Sequence, residues 1–269
     1  MSHNTKGNRE SNVELRPAQY LDVKSPTGSD NGHVALIVLN SPIEDLQYLR
    51  RLYDHASFRL CADGGANRLY DALTSQMSNQ TYDVALKNML PDLIHGDLDS
   101  LRDDVRKRYE PLNVPISQDP DQYSTDFGKG IHQILQLRPS TREVLIFGSL
   151  GGRVDQGIGL LHELYREQMH RHPNVRFWLF TEISITVLLQ KGRTVVDTPL
   201  HQGLMKRSCG ILPLYGPAVI STEGLEWDVK EWRTELGGQV STSNHVVAKK
   251  VVVETDREVL FTIERAVDR

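Results

Sequence analysis

Residues 91–101 read PDLIHGDLDSL, and this stretch decides the fold class. A short apolar run, Leu93-Ile94, is followed by a glycine and by two aspartates, Asp97 and Asp99. An apolar run that ends in Gly-Asp is typical of a strand that leads into a loop at the edge of a sheet. In open α/β sheets, ligands bind just outside the carboxyl ends of the strands. The stretch therefore predicts an α/β sheet with an acidic loop at its ligand-binding edge.

The paired aspartates have two interpretations. Neighbouring carboxylates repel each other unless a cation lies between them, and oxygen ligands suit Mg²⁺, which is often shared with substrate phosphates. The alternative is a solvated acidic turn in which Asp99 or Ser100 caps the next helix. Recurrence of the pattern favours the metal, because acidic or glycine-rich loops also occupy residues 63–66, 119–126 and 148–156.

The segments around these loops predict a mostly parallel sheet. Continuous apolar runs are typical of strands that helices cover on both faces. Such runs occupy residues 34–39, 58–62, 143–147 and 175–179. Residues 103–109 and 127–137 are predicted helices. Residues 74–82 are a polar insertion for which the sequence predicts no regular structure.

The sequence changes character after about residue 182. Short alternating segments, separated by Gly, Pro and charged turns, replace the helices and are typical of a β-sandwich or a β-barrel. We therefore predict an α/β domain over residues 33–182 and a β-sandwich domain over residues 183–269. Residues 1–32 are predicted to be a largely disordered extension, in which a short piece around residues 15–21 docks on the protein.

Composition narrows the class of protein. The net charge of −4 argues against a nucleic-acid partner, which would need a basic face. No apolar run approaches the roughly 20 residues that cross a bilayer, and the first ten residues lack the apolar core of a signal peptide. The two cysteines, Cys61 and Cys209, are too few for a disulfide framework or a zinc site. We expect a cytoplasmic protein with reduced thiols and no membrane contact.

Several residues near the predicted loops suit phosphate chemistry. Gly64 and Gly65 would let backbone N–H groups approach an anion, although glycines between a strand and a helix are also common for steric reasons. Lys129 is placed to reach a phosphate, or else it is a solvated helix lysine. Arg153, beside a glycine-rich loop, suits bidentate phosphate binding. The loop matches neither the Walker lysine motif nor a GxGxxG fingerprint.

The β half contains one candidate for ligand stacking. Trp227 lies in the turn-rich segment STEGLEWD and is suited to present its indole face to a flat cationic ligand. The alternative is a tryptophan of the ordinary core. The STSN run at residues 241–244 offers hydroxyls and an amide, or is a plain polar turn.

Seven motifs in order carry a resemblance to a known family. The chain resembles the thiamin pyrophosphokinases, in a form similar to the fungal branch, over residues 34–263. The motifs are CADGGAN at 61–67, PDLIHGDLDS at 91–100, DQYSTDFGK at 121–129, LGGRVDQ at 150–156, CGILPL at 209–214, TEGLEWDV at 222–229 and STSN at 241–244.

The resemblance implies an activity and an assembly. It implies transfer of the pyrophosphoryl group of ATP to the hydroxyl of thiamin with Mg²⁺, giving thiamin diphosphate and AMP. It also implies a homodimer whose active sites are shared between subunits. The alternative is a Mg²⁺-dependent pyrophosphokinase or nucleotide hydrolase that acts on a different small acceptor. A binding module without activity is disfavoured, because the metal carboxylates are present.

The resemblance also implies roles for individual residues. Asp97, Asp99 and Asp126 match the carboxylates that hold Mg²⁺, and with Arg153 they form the predicted catalytic set. The predicted thiamin side comprises Trp227, Ser221, Ser243 and Asn244. The predicted ATP side comprises Asp63, Gly64, Gly65, Asn67, Gln122, Ser124, Thr125, Lys129, Gly151, Gly152 and Asp155. The chain departs from the family pattern at Tyr123, where many relatives have an acidic residue, so a role for Asp121 is not assigned.

Overall fold

The computed structural model describes residues 13–23, 31–76 and 79–267. The described strands, in chain order, are β1 Val13–Leu15, β2 Val34–Val38, β3 Phe58–Ala62, β4 Leu93–Gly96, β5 Ile116–Gln118, β6 Glu143–Phe147, β7 Arg176–Phe180, β8 Ser184–Leu189, β9 Gly192–Asp197, β10 Met205–Leu212, β11 Ala218–Glu223, β12 Trp232–Thr234, β13 Ser241–His245, β14 Lys250–Thr255 and β15 Val259–Arg265. The α-helices are α1 Leu46–His55, α2 Gly65–Gln76, α3 Asn79–Asn88, α4 Asp103–Tyr109, α5 Asp126–Leu137 and α6 Val154–Arg166.

Two compact units divide the chain at Ile185. The first unit spans Gln19–Ile185, and the second comprises the residues up to Ala18 together with Thr186–Arg269. The domain boundary predicted near residue 182 lies three residues before this division.

The first unit is built on parallel strands in the order β7-β6-β2-β3-β4-β5. Residues 35–38 of β2 and 144–147 of β6 are fully buried, as expected for strands covered on both faces. These features confirm the predicted α/β class. The chain adds β3, β4 and β5 on one side of β2 and then returns to add β6 on its other side. The carboxyl ends of β2 and β6 therefore form a topological switch point, where open α/β sheets bind ligands.

The polar insertion is more ordered than the sequence predicts. Helix α2 continues to Gln76, and α3 begins at Asn79 and ends at Asn88, so the prediction of no regular structure over residues 74–82 is wrong apart from residues 77 and 78, which lie outside the described residues. The first half of α3 is polar and gives no apolar period. The helix is anchored by Leu86 in its second half and by Met89 just beyond it, both buried.

The predicted disordered extension also contains ordered structure. Strand β1 pairs in parallel with β9, with Val13 opposite Thr194. The following 3₁₀ turn, Pro17–Tyr20, buries Tyr20 against Trp178 and Phe180 at ring distances of 5.9 and 6.0 Å. The predicted docking of residues 15–21 therefore has a physical basis in apolar burial. Residues 1–12 and 24–30 of the predicted extension lie outside the described residues.

The second unit is a β domain. One sheet has the order β1-β9-β14-β11-β12, and strands β13, β10, β15 and β8 are neighbours in that order. Val196, Val253, Ile211 and Phe261 from both sets are buried and supply its core. None of the helices in the described part of the chain is long and apolar enough to cross a bilayer.

Candidate functional site

Three aspartates meet at the carboxyl ends of the central strands. Asp63 follows β3, Asp97 follows β4 and Asp126 begins α5, and one ligand atom from each lies within 4.8 Å of the others. We call Asp63, Asp97 and Asp126 the acidic cluster. Strands β3 and β4 are parallel neighbours, so their ends bring the first two carboxylates together. The cluster lies at the sheet edge that the sequence predicts for the acidic loop.

The backbone around the acidic cluster is adapted to close approach. A Cβ atom at Gly96 would lie 2.9 Å from both Asp126 Oδ1 and the Cβ of Asp63, so a side chain there would displace the carboxylates. Asp63 has a φ of 42° and Leu98 a φ of 65°, which are uncommon for residues other than glycine. Strained backbone of this kind concentrates at functional sites.

Two oxygen atoms of the acidic cluster lack hydrogen-bond partners among the described residues. These atoms are Asp63 Oδ1 and Asp126 Oδ1, and both are buried. Asp63 is only 1% exposed. The pKa of Asp63 is raised to about 6, mainly by burial and also by the charges of Asp126 and Asp97, while one hydrogen bond from the Ser100 N–H acts in the opposite direction. Burial followed by the charge of Asp97 likewise raises the pKa of Asp126.

A buried lysine partly offsets this negative charge. The Lys129 side chain is 1% exposed, and its Nζ lies 3.3 Å from Asp97 Oδ2 and 3.8 Å from Asp126 Oδ1. The interpretation of Lys129 as a solvated helix lysine is therefore wrong. Burial alone would raise the pKa of Asp97, but the Asp99 N–H and the Lys129 ammonium outweigh it and hold that pKa below its usual value.

The structure places Asp63, rather than Asp99, beside Asp97 and Asp126. The Asp99 side chain is exposed and accepts a hydrogen bond from Ser100 Oγ at 3.0 Å. The sequence places Asp63 on the ATP side because of its glycine-rich turn. The signal that it belongs with Asp97 and Asp126 is its position directly after strand β3, the same position that Asp97 has after β4.

Two other residues of the first glycine-rich motif, Asn67 and Gly65, have structural roles near the acidic cluster. Asn67 donates from Nδ2 to the Ser100 carbonyl at 2.7 Å and accepts from the Arg102 N–H at 3.1 Å, so it holds the loop that carries Asp97. A Cβ atom at Gly65 would lie 2.2 Å from the Val38 carbonyl oxygen. Glycine is therefore required here, where the start of helix α2 lies against the end of strand β2. The steric interpretation of this glycine is supported by the structure.

The predicted residues before α5 differ in their environments. Thr125 is the N-cap of α5, and its side chain accepts from the Gly128 N–H at 3.1 Å. Ser124 donates to Asp121 Oδ2 at 2.5 Å. Gln122 is exposed and donates to the Pro120 carbonyl at 3.5 Å. These bonds order the loop that leads into Asp126.

A cleft of about 730 Å³ opens at the switch point between β2 and β6. We call it the switch-point cleft. The predicted residues that line it are Thr125, Asp126, Gly151, Gly152, Arg153 and Asp155. Arg153 and Asp155 are exposed and form an ion pair of 2.6 Å with each other. Sequence analysis missed Arg68, which lines the same cleft and donates from Nε to Asn40 Oδ1 at 2.8 Å.

The second unit contains a separate cleft of about 420 Å³. We call it the tryptophan cleft, because Trp227 and Trp232 both line it, with Ser243 and Asn244. Trp227 is 57% exposed, so the interpretation of this residue as ordinary core is wrong. Sequence analysis missed Trp232, which begins strand β12. The signal that would have found it is its position five residues after Trp227.

The predicted thiamin-side residues are positioned differently. Asn244 holds the backbone of Trp227 at both ends: its Oδ1 accepts from the Trp227 N–H at 3.1 Å, and its Nδ2 donates to the Trp227 carbonyl at 2.9 Å. Ser221 is not among the residues that line the tryptophan cleft, and its Oγ accepts from the Glu231 N–H at 2.9 Å. Within the described residues, Ser221 therefore supports a turn.

Asp63→Asn is expected to stabilise the metal-free protein at neutral pH. The raised pKa of Asp63 means that the folded protein loses stability as the pH rises from about 4 to about 6, because burial opposes the charged form. The neutral amide removes that loss, so we expect the free energy of unfolding to increase by about 1–2 kcal/mol at pH 7 and not at pH 4. Urea unfolding at both pH values, in chelated buffer, measures the difference. Equal shifts at both pH values would contradict the account.

Two family models match the chain in order. The model described as "Thiamin pyrophosphokinase, catalytic domain" matches residues 49–177. The model described as "Thiamin pyrophosphokinase, vitamin B1 binding domain" matches residues 193–260. The acidic cluster lies in the first match, and the residues that line the tryptophan cleft lie in the second.

Individual proteins agree with the family models. The chain is 38% identical to thiamine pyrophosphokinase 1 of Arabidopsis thaliana over 236 residues, which is 85% of each chain. It is 27% identical to thiamine pyrophosphokinase of Saccharomyces cerevisiae over 288 aligned positions, covering 90% of this chain and 88% of that one. The structure of thiamin pyrophosphokinase from Candida albicans matches with a TM-score of 0.79 and 26% identity over 94% and 93% of the two chains. The similarity to the fungal branch stays a prediction, since the plant relative is the more similar of these two in sequence.

Proposed function

The chain belongs to the thiamin pyrophosphokinase family, and we propose that it transfers the pyrophosphoryl group of Mg²⁺-bound ATP to thiamin with the acidic cluster as its catalytic centre. Family membership makes it an ATP-dependent transferase of thiamin. The observation that carries the proposal is that two buried oxygen atoms of the acidic cluster, Asp63 Oδ1 and Asp126 Oδ1, have no hydrogen-bond partner among the described residues.

The acidic cluster fits Mg²⁺ by its chemistry. Its donors are carboxylate oxygens only, which suit a hard cation, and two of them are buried without a hydrogen-bond partner among the described residues. We propose that Asp63, Asp97 and Asp126 hold the ion. When bound, the ion supplies positive charge that neutralises the polyphosphate. Asp99, two residues from Asp97, stays a predicted further ligand.

The chain itself supplies the fixed positive charge that the transfer needs. Phosphoryl-type transfers spread negative charge over several oxygens, so positioning and electrostatic stabilisation account for most of the catalysis. Lys129 is buried and held between Asp97 and Asp126, so its ammonium is preorganised at the catalytic centre. Arg153 lines the adjoining switch-point cleft. We assign Lys129 to the polyphosphate and Arg153 to the nucleotide.

The switch-point cleft is the proposed ATP site. It contains Asp126 of the acidic cluster, so a nucleotide in the cleft would have its phosphates beside the proposed metal. Gly151 and Gly152 line the cleft in the loop before α6, where backbone N–H groups favour anions. Arg68, fixed by Asn40, adds a second guanidinium to the cleft.

The tryptophan cleft is the proposed thiamin site. Thiamin has a permanently charged thiazolium ring, and an indole face attracts a flat cation. The volume of about 420 Å³ lies within the range of small-molecule sites. A nucleotide hydrolase would not need an exposed tryptophan platform, so thiamin is favoured over a different acceptor.

We also propose a cytoplasmic enzyme. Cys61 and Cys209 are buried free thiols, and burial raises their pKa values to about 12 and about 11, which keeps them protonated and inert. Free, inert thiols agree with a reducing compartment.

The proposed homodimer with shared sites predicts complementation between two inactive variants. Asp97→Asn and Trp227→Ala chains would each be inactive at low thiamin concentration. If an active site takes its acidic cluster from one subunit and its tryptophan cleft from the other, mixed dimers would regain one intact site. We expect about a quarter of wild-type activity after subunit exchange of equal amounts. No recovery in mixed dimers, purified through a different affinity tag on each subunit, would contradict shared sites.

The Mg²⁺ dependence tests the proposal directly. Chelated protein should form no thiamin diphosphate, and added Mg²⁺ should restore the activity in a saturable way. Mn²⁺ binding, followed by electron paramagnetic resonance in the absence of substrate, should be lost in Asp63→Asn. Full activity in chelator, or Mn²⁺ binding unchanged in that variant, would overturn the assignment of the metal site.

A further inference from the structure

An exposed indole can serve as a binding platform only if its orientation is fixed. Trp227 is 57% exposed, so cleft walls alone do not hold its ring. The Asn244 side chain fixes the Trp227 backbone through its N–H and its carbonyl, and it also accepts from the His245 N–H at 2.8 Å, but none of these hydrogen bonds reaches the indole. A second residue contacts the ring itself. The imidazole of His245 lies with its centroid 5.4 Å from that of the indole, and the planes are tilted by 38°.

The His245 ring is itself held in place. Its Nδ1 lies 2.8 Å from Glu226 Oε2, and because a carboxylate only accepts, the proton of this hydrogen bond belongs to the imidazole. Glu226 Oε2 also accepts from Arg207 at 3.2 Å. The Arg207 Nε donates to the Val246 carbonyl at 3.3 Å. The imidazole is thus the end of a chain of contacts anchored on the backbone.

The backbone around the two rings is also paired. The Glu226 N–H donates to the His245 carbonyl at 2.8 Å, and the Val246 N–H donates to the Arg207 carbonyl at 2.8 Å. Leu225 and Val246 form an isolated antiparallel bridge. Main-chain hydrogen bonds therefore join the segments that contain Trp227 and His245. The contact between the two rings does not depend on side-chain packing alone.

His245 contacts the indole without lining the tryptophan cleft. The described residues that line this cleft include Trp227 and Asn244 but not His245. A ligand in the cleft would therefore meet the indole, while the imidazole contacts the indole from outside the cleft lining. Any effect of His245 on the ligand would act through Trp227.

We propose that His245 is a positioning residue for thiamin: it supports the Trp227 indole, and the Glu226–Arg207 pair fixes its ring. The inference rests on the proposed role of Trp227 as the thiamin platform. It assigns to His245 no contact with substrate. Its effect should therefore appear in the KM for thiamin and not in kcat or in the KM for ATP.

The test compares His245→Ala, His245→Phe, Trp227→Ala and the double variant Trp227→Ala/His245→Ala. An aromatic pair contributes up to about tenfold in affinity, so His245→Ala should raise the thiamin KM about five- to tenfold. His245→Phe keeps a flat ring against the indole but loses the hydrogen bond to Glu226, so its thiamin KM should lie between those of wild type and His245→Ala. The double variant should be no worse than Trp227→Ala, because the imidazole acts only through the indole. Val247→Ala, an exposed apolar change two residues away, is the matched control.

The outcomes separate this inference from the proposed function. An unchanged thiamin KM in His245→Ala, with a raised one in Trp227→Ala, would overturn the role of His245 alone. Equal rises in the KM values for thiamin and ATP, a thiamin KM no lower in His245→Phe than in His245→Ala, or additive losses in the double variant would also overturn it. An unchanged thiamin KM in Trp227→Ala would instead overturn the proposed platform.

Discussion

Asp97→Asn is expected to lower pyrophosphoryl transfer by about 10³-fold while the protein remains folded. The amide removes one negative charge and one oxygen ligand from the acidic cluster, and it leaves the buried Lys129 with Asp126 as its nearest acid, 3.8 Å away. The fold should survive, since Asp97 lies in a loop after β4 and an asparagine oxygen still accepts from the Asp99 N–H. Initial rates at saturating substrates and circular dichroism measure the two effects.

A matched change nearby provides the control for Asp97→Asn. Asp103 is an exposed aspartate in the first turn of α4, six residues from Asp97 and outside the acidic cluster. Asp103→Asn should keep activity within about twofold of wild type. Asp97→Asn with more than a tenth of wild-type activity would contradict the role in catalysis. Unfolding of Asp97→Asn at room temperature would show that the residue is structural.

Trp227→Ala is expected to raise the thiamin KM about 30-fold and to leave the ATP KM within about twofold. A desolvated cation on an indole face gains about 2 kcal/mol, and an alanine offers no such face. The fold should tolerate the change, because the side chain is exposed and contributes little to the core. Steady-state kinetics with each substrate varied in turn separate the two KM values.

The chain offers a matched control for Trp227→Ala as well. Leu236 is 58% exposed, also in the second unit, and does not line the tryptophan cleft. Leu236→Ala should leave both KM values unchanged, and Trp227→Phe should fall between wild type and Trp227→Ala. Equal losses of thiamin and ATP affinity in Trp227→Ala would point to a structural tryptophan and contradict the platform.

The strand ends were predictable from sequence because the relevant signal is local. An apolar run followed by Gly-Asp marks both a parallel strand and the residue at its carboxyl end, and this places Asp97 correctly. The fold class follows from the same continuous apolar runs. Family resemblance supplied the substrate, which no local pattern of residues specifies.

The composition of the acidic cluster was not predictable in full. Asp97 and Asp99 are close in sequence, whereas Asp63 is distant in sequence and reaches the cluster through the pairing of β3 with β4. Which of two nearby aspartates points inward depends on backbone angles, here a φ of 65° at the intervening Leu98. The ion pair of the buried Lys129 with Asp97 has the same origin, because Asp97 lies 32 residues away in sequence.

The exposure of Trp227 in the tryptophan cleft was also not predictable from sequence. A tryptophan in a small β domain is usually core, and composition does not reveal that Trp227 is exposed. Its exposure arises because Asn244, from strand β13, ties the Trp227 backbone to a strand edge. Such a tie joins residues far apart in sequence, so periodicity carries no signal for it.

The central claim is transfer of a pyrophosphoryl group from ATP to thiamin, and AMP release tests it most directly. The purified protein is incubated with ATP and Mg²⁺, with and without thiamin, and AMP and thiamin diphosphate are quantified together. We expect AMP to appear only with thiamin and in equal amount to thiamin diphosphate. AMP formed at the same rate without thiamin would identify a hydrolase and contradict the account, and so would the absence of AMP under all conditions.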